Sequence, residues 1–193
     1  MIPPNGFMPM ALRKEHKMKL YQMLKKAYND LATHMYRLTA KRTIITLSQL
    51  FDTATLTKYH QILSALRYVA VEEYYGQNDF GKELYITANR WENDAALQAD
   101  LARFDALIKS IETKGYDSKS IIYVDRNNNC FNGTHRLALC VWFGIEKIPA
   151  YAVKRRLNQP TIQEMKAYYR LSDEEYAKLE AAYQRMYARV HNK

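Results

Sequence analysis

The chain has 193 residues, 48% of them hydrophobic and 25% charged, an ordinary balance for a globular protein. No stretch approaches the roughly 20 unbroken apolar residues of a membrane span, and the opening "MIPPNGFMPMALRK" holds no continuous apolar segment of the secretory kind. Two cysteines, Cys130 and Cys140, make no disulfide framework, so a reducing, cytoplasmic location is expected. The net charge of +9 favours anionic partners without separating nucleotide, nucleic acid, phospholipid headgroup and acidic sugar.

Along the chain, Leu20, Leu24, Ala27, Leu31, Met35 and Leu38 recur at steps of three and four and predict a helix over 10–38. Its other face, within "LRKEHKMKLYQMLKK", holds six Lys/Arg and one Glu. That is either a solvated face or one that makes a peripheral contact with an anionic membrane or polyanion. "TIITLSQLF" is short and β-branched. Asp52 or Thr53 is then placed to cap a helix running to about Tyr75, with Leu56, Tyr59, Leu63, Leu66 and Ala70 inward. "GQNDFG" breaks the chain.

After Arg90, Asn93 can cap a helix through Leu97, Leu101, Phe104, Ile108 and Ile111 to Gly115, a natural helix-ending glycine. "SIIYVD" reads as a strand, "RNNN" as a turn and "CF" as a short return strand. A helix follows from Gly133 to Gly144, then a strand "IPAYAV". Two more helices follow, the second capped by Ser172 with Glu175 three residues on. The expected class is α+β, with no linker and no internal repeat: a mainly helical N-terminal layer over 1–92, a small mixed core over 93–155, and C-terminal helices over 156–193 packed on the same domain.

The segment "FNGTHRLALCVWFG" concentrates the chemistry. Glycine permits a positive φ and the close approach of a ligand, and the helix behind it presents unpaired N–H groups and a partial positive charge beside the Arg136 guanidinium. An anion is one reading. The other is that Asn132 caps the helix and Arg136 solvates its first turn.

Residues 104–153, from "FDALIKSIETKG" through "YVDRNNNCFNGTHR" to "GIEKIPAYAV", resemble the ParB/sulfiredoxin superfamily over about a quarter of the chain. Its members run from a helix ending in an "L..SI...G" phrase through a strand, a hairpin turn and a "G..R" box to a helix, Gly and "IP". Here these are Leu107, Ser110, Ile111, Gly115, Gly133, Arg136, Gly144, Ile148 and Pro149. The box is most similar to that of sulfiredoxins, Gly-Cys-His-Arg, and to the Gly-x-His-Arg of free-serine kinases. The resemblance implies a nucleotide, ATP or ADP with CTP as a further candidate, held by Asn132, Gly133, Thr134, His135 and Arg136, with Arg90 of "TANRW" as an upstream partner.

Departures narrow the activity. A hydroxyl at Thr134 cannot form the thiosulfinate that sulfiredoxin chemistry requires. About 40 residues follow Val153, too few for the helix-turn-helix and dimerisation domains of partition proteins, and nucleic acid is the weaker partner. What the resemblance leaves is a kinase-type phosphotransferase using Mg²⁺ and a small hydroxyl acceptor such as an amino acid or sugar, or a non-catalytic nucleotide sensor that binds DNA or a partner. Phosphotransfer needs a base or metal-binding carboxylate. Glu72, Glu73, Asp79, Glu83 and Asp125 are available, with Asp125 and Glu83 foremost, while His135 is a candidate for direct contact with phosphate.

Overall fold

The computed structural model describes residues 40–89, 94–119, 121–154 and 160–192. The helix expected over 10–38, Arg90 and the Asn93 cap lie outside the described residues. The elements below belong to one unit, residues 41–193.

Strand β1 (Lys41–Thr46) runs into a one-turn helix, α1 (Leu47–Leu50), started by a capping box of Thr46 and Gln49. The next helix, α2, spans Tyr59–Tyr74 and so begins later than Asp52 or Thr53. Three threonines between 52 and 58 favour local side-chain bonds over helix: the Thr53 hydroxyl donates to the Thr55 carbonyl at 3.0 Å. Asp52 instead receives the Lys58 ammonium at 2.7 Å, and the Gln61 carboxamide oxygen caps the true start by accepting the N–H groups of Thr57 (2.8 Å) and Lys58 (3.0 Å).

Helix α3 (Gly81–Ala88) occupies a stretch that carried no sequence expectation beyond the preceding break. Asn78 builds its start: its side-chain oxygen accepts from Phe80 N (3.1 Å) and Gly81 N (2.9 Å), while its amide donates to the Val69 carbonyl of α2 at 3.1 Å. The expected helix over the 90s and 100s is α4 (Asp94–Lys114), and Gly115 ends it at φ +75°.

A hairpin of β2 (Ile122–Val124) and β3 (Cys130–Asn132) leads into α5 (Thr134–Trp142), and β4 (Lys147–Ala152) follows. The sheet order is β1-β4-β2-β3. β4 pairs parallel with β2 (Ile122 opposite Ala150) and antiparallel with β1 (Ile45 opposite Ile148). Ile45, Ile122, Val124, Cys130, Ile148 and Ala150 belong to the main core. The sheet therefore takes an edge strand from the segment expected to be a helical layer, and it crosses the boundary drawn at 92/93.

Helices α6 (Ile162–Tyr169) and α7 (Asp173–His191) both start with capping boxes, Thr161/Glu164 and Ser172/Glu175. α2 lies at the centre, with thirteen of its sixteen residues buried. α7 closes over it: Leu179, Ala182, Tyr183 and Met186 are buried, and Arg185 holds the buried Glu72 carboxylate with two bonds of 2.7 Å. Tyr183 donates to the Thr53 carbonyl at 2.8 Å, and the His191 ring meets the Phe51 carbonyl at 2.8 Å. Among the described residues no helix is long and apolar enough to cross a membrane.

Candidate functional site

Strand β3 ends at the exposed Asn132, and the chain turns into α5 through Gly133 at φ +105°. Two constraints demand glycine there. The φ is left-handed, and an added Cβ would lie 2.6 Å from Ile122 Cγ2. Among the described residues no side chain caps α5 at Gly133, so the backbone N–H groups of its first turn are left without a side-chain acceptor there.

This end of α5 opens on a cleft of about 220 Å³ lined by Asn132, Gly133, His135 and Arg136 and, from α4, by Asp100, Arg103, Phe104 and Leu107. Arg103 pairs with Asp100 on its own helix. Arg136 has a buried Nε with no hydrogen-bond partner. Two guanidiniums against one carboxylate leave the lining cationic.

His135 is wedged between aromatic rings. Its Nε2 lies 3.0 Å from the Tyr85 hydroxyl, and the Phe104 ring meets it edge-on at 4.9 Å. Burial first, then the positive charges of Arg67, Arg136 and Arg103, push its pKa down to about 3. At neutral pH it is an uncharged imidazole, able to hydrogen-bond a ligand but not to meet it as a cation.

Of the sequence candidates, Asn132, Gly133, His135 and Arg136 come together at the cleft. The Thr134 side chain is buried and does not line it, which leaves its backbone N–H as its contribution. Asp125 is corrected. It is 1% exposed, accepts from Asn127 N (2.8 Å), Asn129 N (2.9 Å) and Asn129 Nδ2 (3.1 Å), and so builds the hairpin turn. Because Tyr123 pairs with Asn132 across the hairpin, Asp125 sits at the end opposite the Gly133 box. Glu83 is corrected too: it is exposed in the first turn of α3, outside the lining, with its charge felt by Lys178. Asp79 is exposed, and Glu72 is committed to Arg185. Burial pushes the Cys130 and Cys140 thiols up to about 12, which makes them neutral core residues.

Sequence reasoning missed the α4 wall. Phe104 belongs to the expected core stripe, and an acid and a base three residues apart, as Asp100 and Arg103 are, equally mark a solvated helix face, so no signal in the sequence singles this wall out. Comparison with protein-family models, with curated proteins and with solved structures finds no match.

Proposed function

We propose that the cleft at the start of α5 binds the phosphate groups of a nucleotide, ATP or ADP with CTP as a further candidate. One observation carries this reading: Arg136 lines the cleft together with Gly133, at a first turn of α5 that Gly133 starts without a side-chain cap. Backbone N–H groups at a helix start and a guanidinium beside them are matched by phosphate oxygens. At about 220 Å³ the cleft is smaller than the roughly 300–1,000 Å³ of pockets that enclose small molecules, which suits the phosphate end with the rest of the ligand outside.

Arg136→Ala should weaken ATP binding about 10- to 150-fold, the loss of a charge-assisted hydrogen bond of about 1.5–3 kcal/mol, with the melting temperature unchanged. Calorimetric titration with and without Mg²⁺ measures it. Equal affinity in mutant and wild type would end the reading.

With Asp125 and Glu83 away from the cleft, plain nucleotide binding of the sensor type gains over catalysis. One observation favours phosphotransfer to a small hydroxyl acceptor, an amino acid or sugar: Asp100 is a carboxylate in the lining. Mg²⁺ is commonly held by one or two carboxylates plus substrate phosphates, so Asp100 fits as a single protein ligand, and it fits equally as a base. When bound, the metal would supply charge neutralisation at the phosphates. Asp100→Asn should then lower transfer of label from ATP to pooled amino acids and sugars by about 10²–10⁴ while Glu83→Gln and Asp125→Asn leave the intrinsic rate of folded protein unchanged. A transfer rate indifferent to Asp100→Asn assigns the cleft to binding alone.

A further inference from the structure

Behind His135, on the side away from the cleft, stands Tyr85 of α3. It is 1% exposed and outside the cleft lining, yet its hydroxyl lies 3.0 Å from His135 Nε2. The phenol is held in place: its ring stacks on Phe104 with centroids 6.2 Å apart and planes at 18°, and the Arg67 guanidinium stands 5.5 Å from its centroid. Phe104 also meets the His135 ring edge-on, so packing fixes the imidazole as well.

With Nε2 turned to Tyr85, Nδ1 is the nitrogen left for a ligand. It makes no hydrogen bond among the described residues and is not one of their buried unpartnered atoms, so it keeps access to the cleft that His135 lines. A neutral imidazole carries one ring proton, and the nitrogen that holds it is decided by the bond the other makes. A phenol is a stronger donor than a neutral imidazole N–H, and an imidazole nitrogen is a stronger acceptor than a phenol oxygen. The arrangement O–H···Nε2 is therefore better than its reverse. The Arg67 charge over the ring draws electron density from the phenol and favours the same direction. The imidazole proton then sits on Nδ1, whereas free neutral histidine prefers it on Nε2.

We propose that Tyr85 is a positioning residue for the cleft: its hydroxyl donates to His135 Nε2 and so fixes the tautomer in which Nδ1–H offers a neutral donor to the phosphate oxygens of the ligand. This role rests on the phosphate reading of the cleft. With the proton on Nε2, His135 would present a lone pair to those oxygens, and the two would repel. The ring is uncharged at neutral pH, its pKa pushed down to about 3, so the tautomer rather than the charge decides how it meets an anion.

The test begins with the tautomer, read in the full chain at pH 7 from long-range proton–nitrogen NMR of the imidazoles, with His135 assigned by its loss in His135→Asn. The proton is expected on Nδ1, and a proton on Nε2 overturns the proposal. Tyr85→Phe keeps the ring stack and removes only the hydroxyl. It should return the proton to Nε2 and weaken ATP about three- to tenfold, less than the loss of a whole bond to a charged group, because the ligand can still draw the proton across. In His135→Asn, whose amide has no tautomers, adding Tyr85→Phe should lower ATP affinity no further. A loss of the same size in both backgrounds makes Tyr85 merely structural, and an unchanged tautomer in Tyr85→Phe removes it from the site; either result overturns the proposal. Failure of the wild type to bind ATP ends the phosphate reading and the use made of Nδ1–H, while the NMR result still decides whether Tyr85 sets the tautomer.

Discussion

Gly81→Ala should lower stability by about 3 kcal/mol or more, the upper range for forcing extra atoms into a packed interior. A Cβ at Gly81 would lie 2.0 Å from the Val69 carbonyl oxygen, 2.4 Å from its carbon and 2.9 Å from Ala70 N, all backbone atoms of α2. No side chain can swing aside to make room, and the Asn78 bridge to the Val69 carbonyl at 3.1 Å pins the start of α3 against that spot. For a chain of this length the loss corresponds to a fall of about 6–12 °C in melting temperature, measured by circular dichroism. Gly76→Ala is the control: its Cβ would meet nothing within 4 Å, so only the positive φ of +71° opposes it, at about 1–2 kcal/mol. Similar melting temperatures for the two variants would mean that α3 slides freely on α2.

Acid should destabilise the fold well before its carboxylates are protonated. His60 is 0% exposed; its Nε2 lies 2.8 Å from the Leu50 carbonyl, and its Nδ1 accepts from Cys130 N at 3.3 Å. Those two partners require the neutral ring with a proton on Nε2. Burial, the largest influence, pushes its pKa from 6.5 down to about 4. Between these values the unfolded chain binds more protons than the folded one, so stability rises with pH. The contribution is fully present above pH 6.5 and is lost as the pH falls towards 4. For His60 it amounts to about 3 kcal/mol at 1.36 kcal/mol per unit, and His135, depressed in the same direction, adds to it. Urea unfolding at pH 7.5 and pH 4.5 should differ by at least this amount, and His60→Gln should flatten the dependence. Equal unfolding free energies at the two pH values would exclude a neutral buried His60.

What could be read from the sequence was what neighbouring residues decide among themselves. The hairpin, α5 and the Ser172 capping box are set by residues within about a turn of one another, and so is the Gly133–Arg136 end of the cleft. The late start of α2 and the existence of α3 depend on Gln61 and Asn78 reaching back to particular backbone groups, and composition does not record such bonds. Asp125 is near the Gly133 box in sequence and at the other end of the hairpin in space. An antiparallel hairpin reverses that relation, so residues near its turn are the farthest from its open end. The α4 wall reaches Gly133 through tertiary packing, and the charge of Arg67 reaches His135 from 68 residues away.

The closure of α7 over α2 also bears on the order in which the molecule can assemble. Arg185 meets Glu72, Tyr183 meets Thr53 and His191 meets Phe51 across 113, 130 and 140 residues. On a ribosome, α2 is synthesised long before the helix that covers its flank and neutralises its buried acid. Contacts of such long range slow folding, because the loop between them must close before they contribute. Until residues 173–191 emerge, the flank of α2 that α7 covers stays open, and exposed apolar surface of that kind is where a nascent chain is most prone to aggregate.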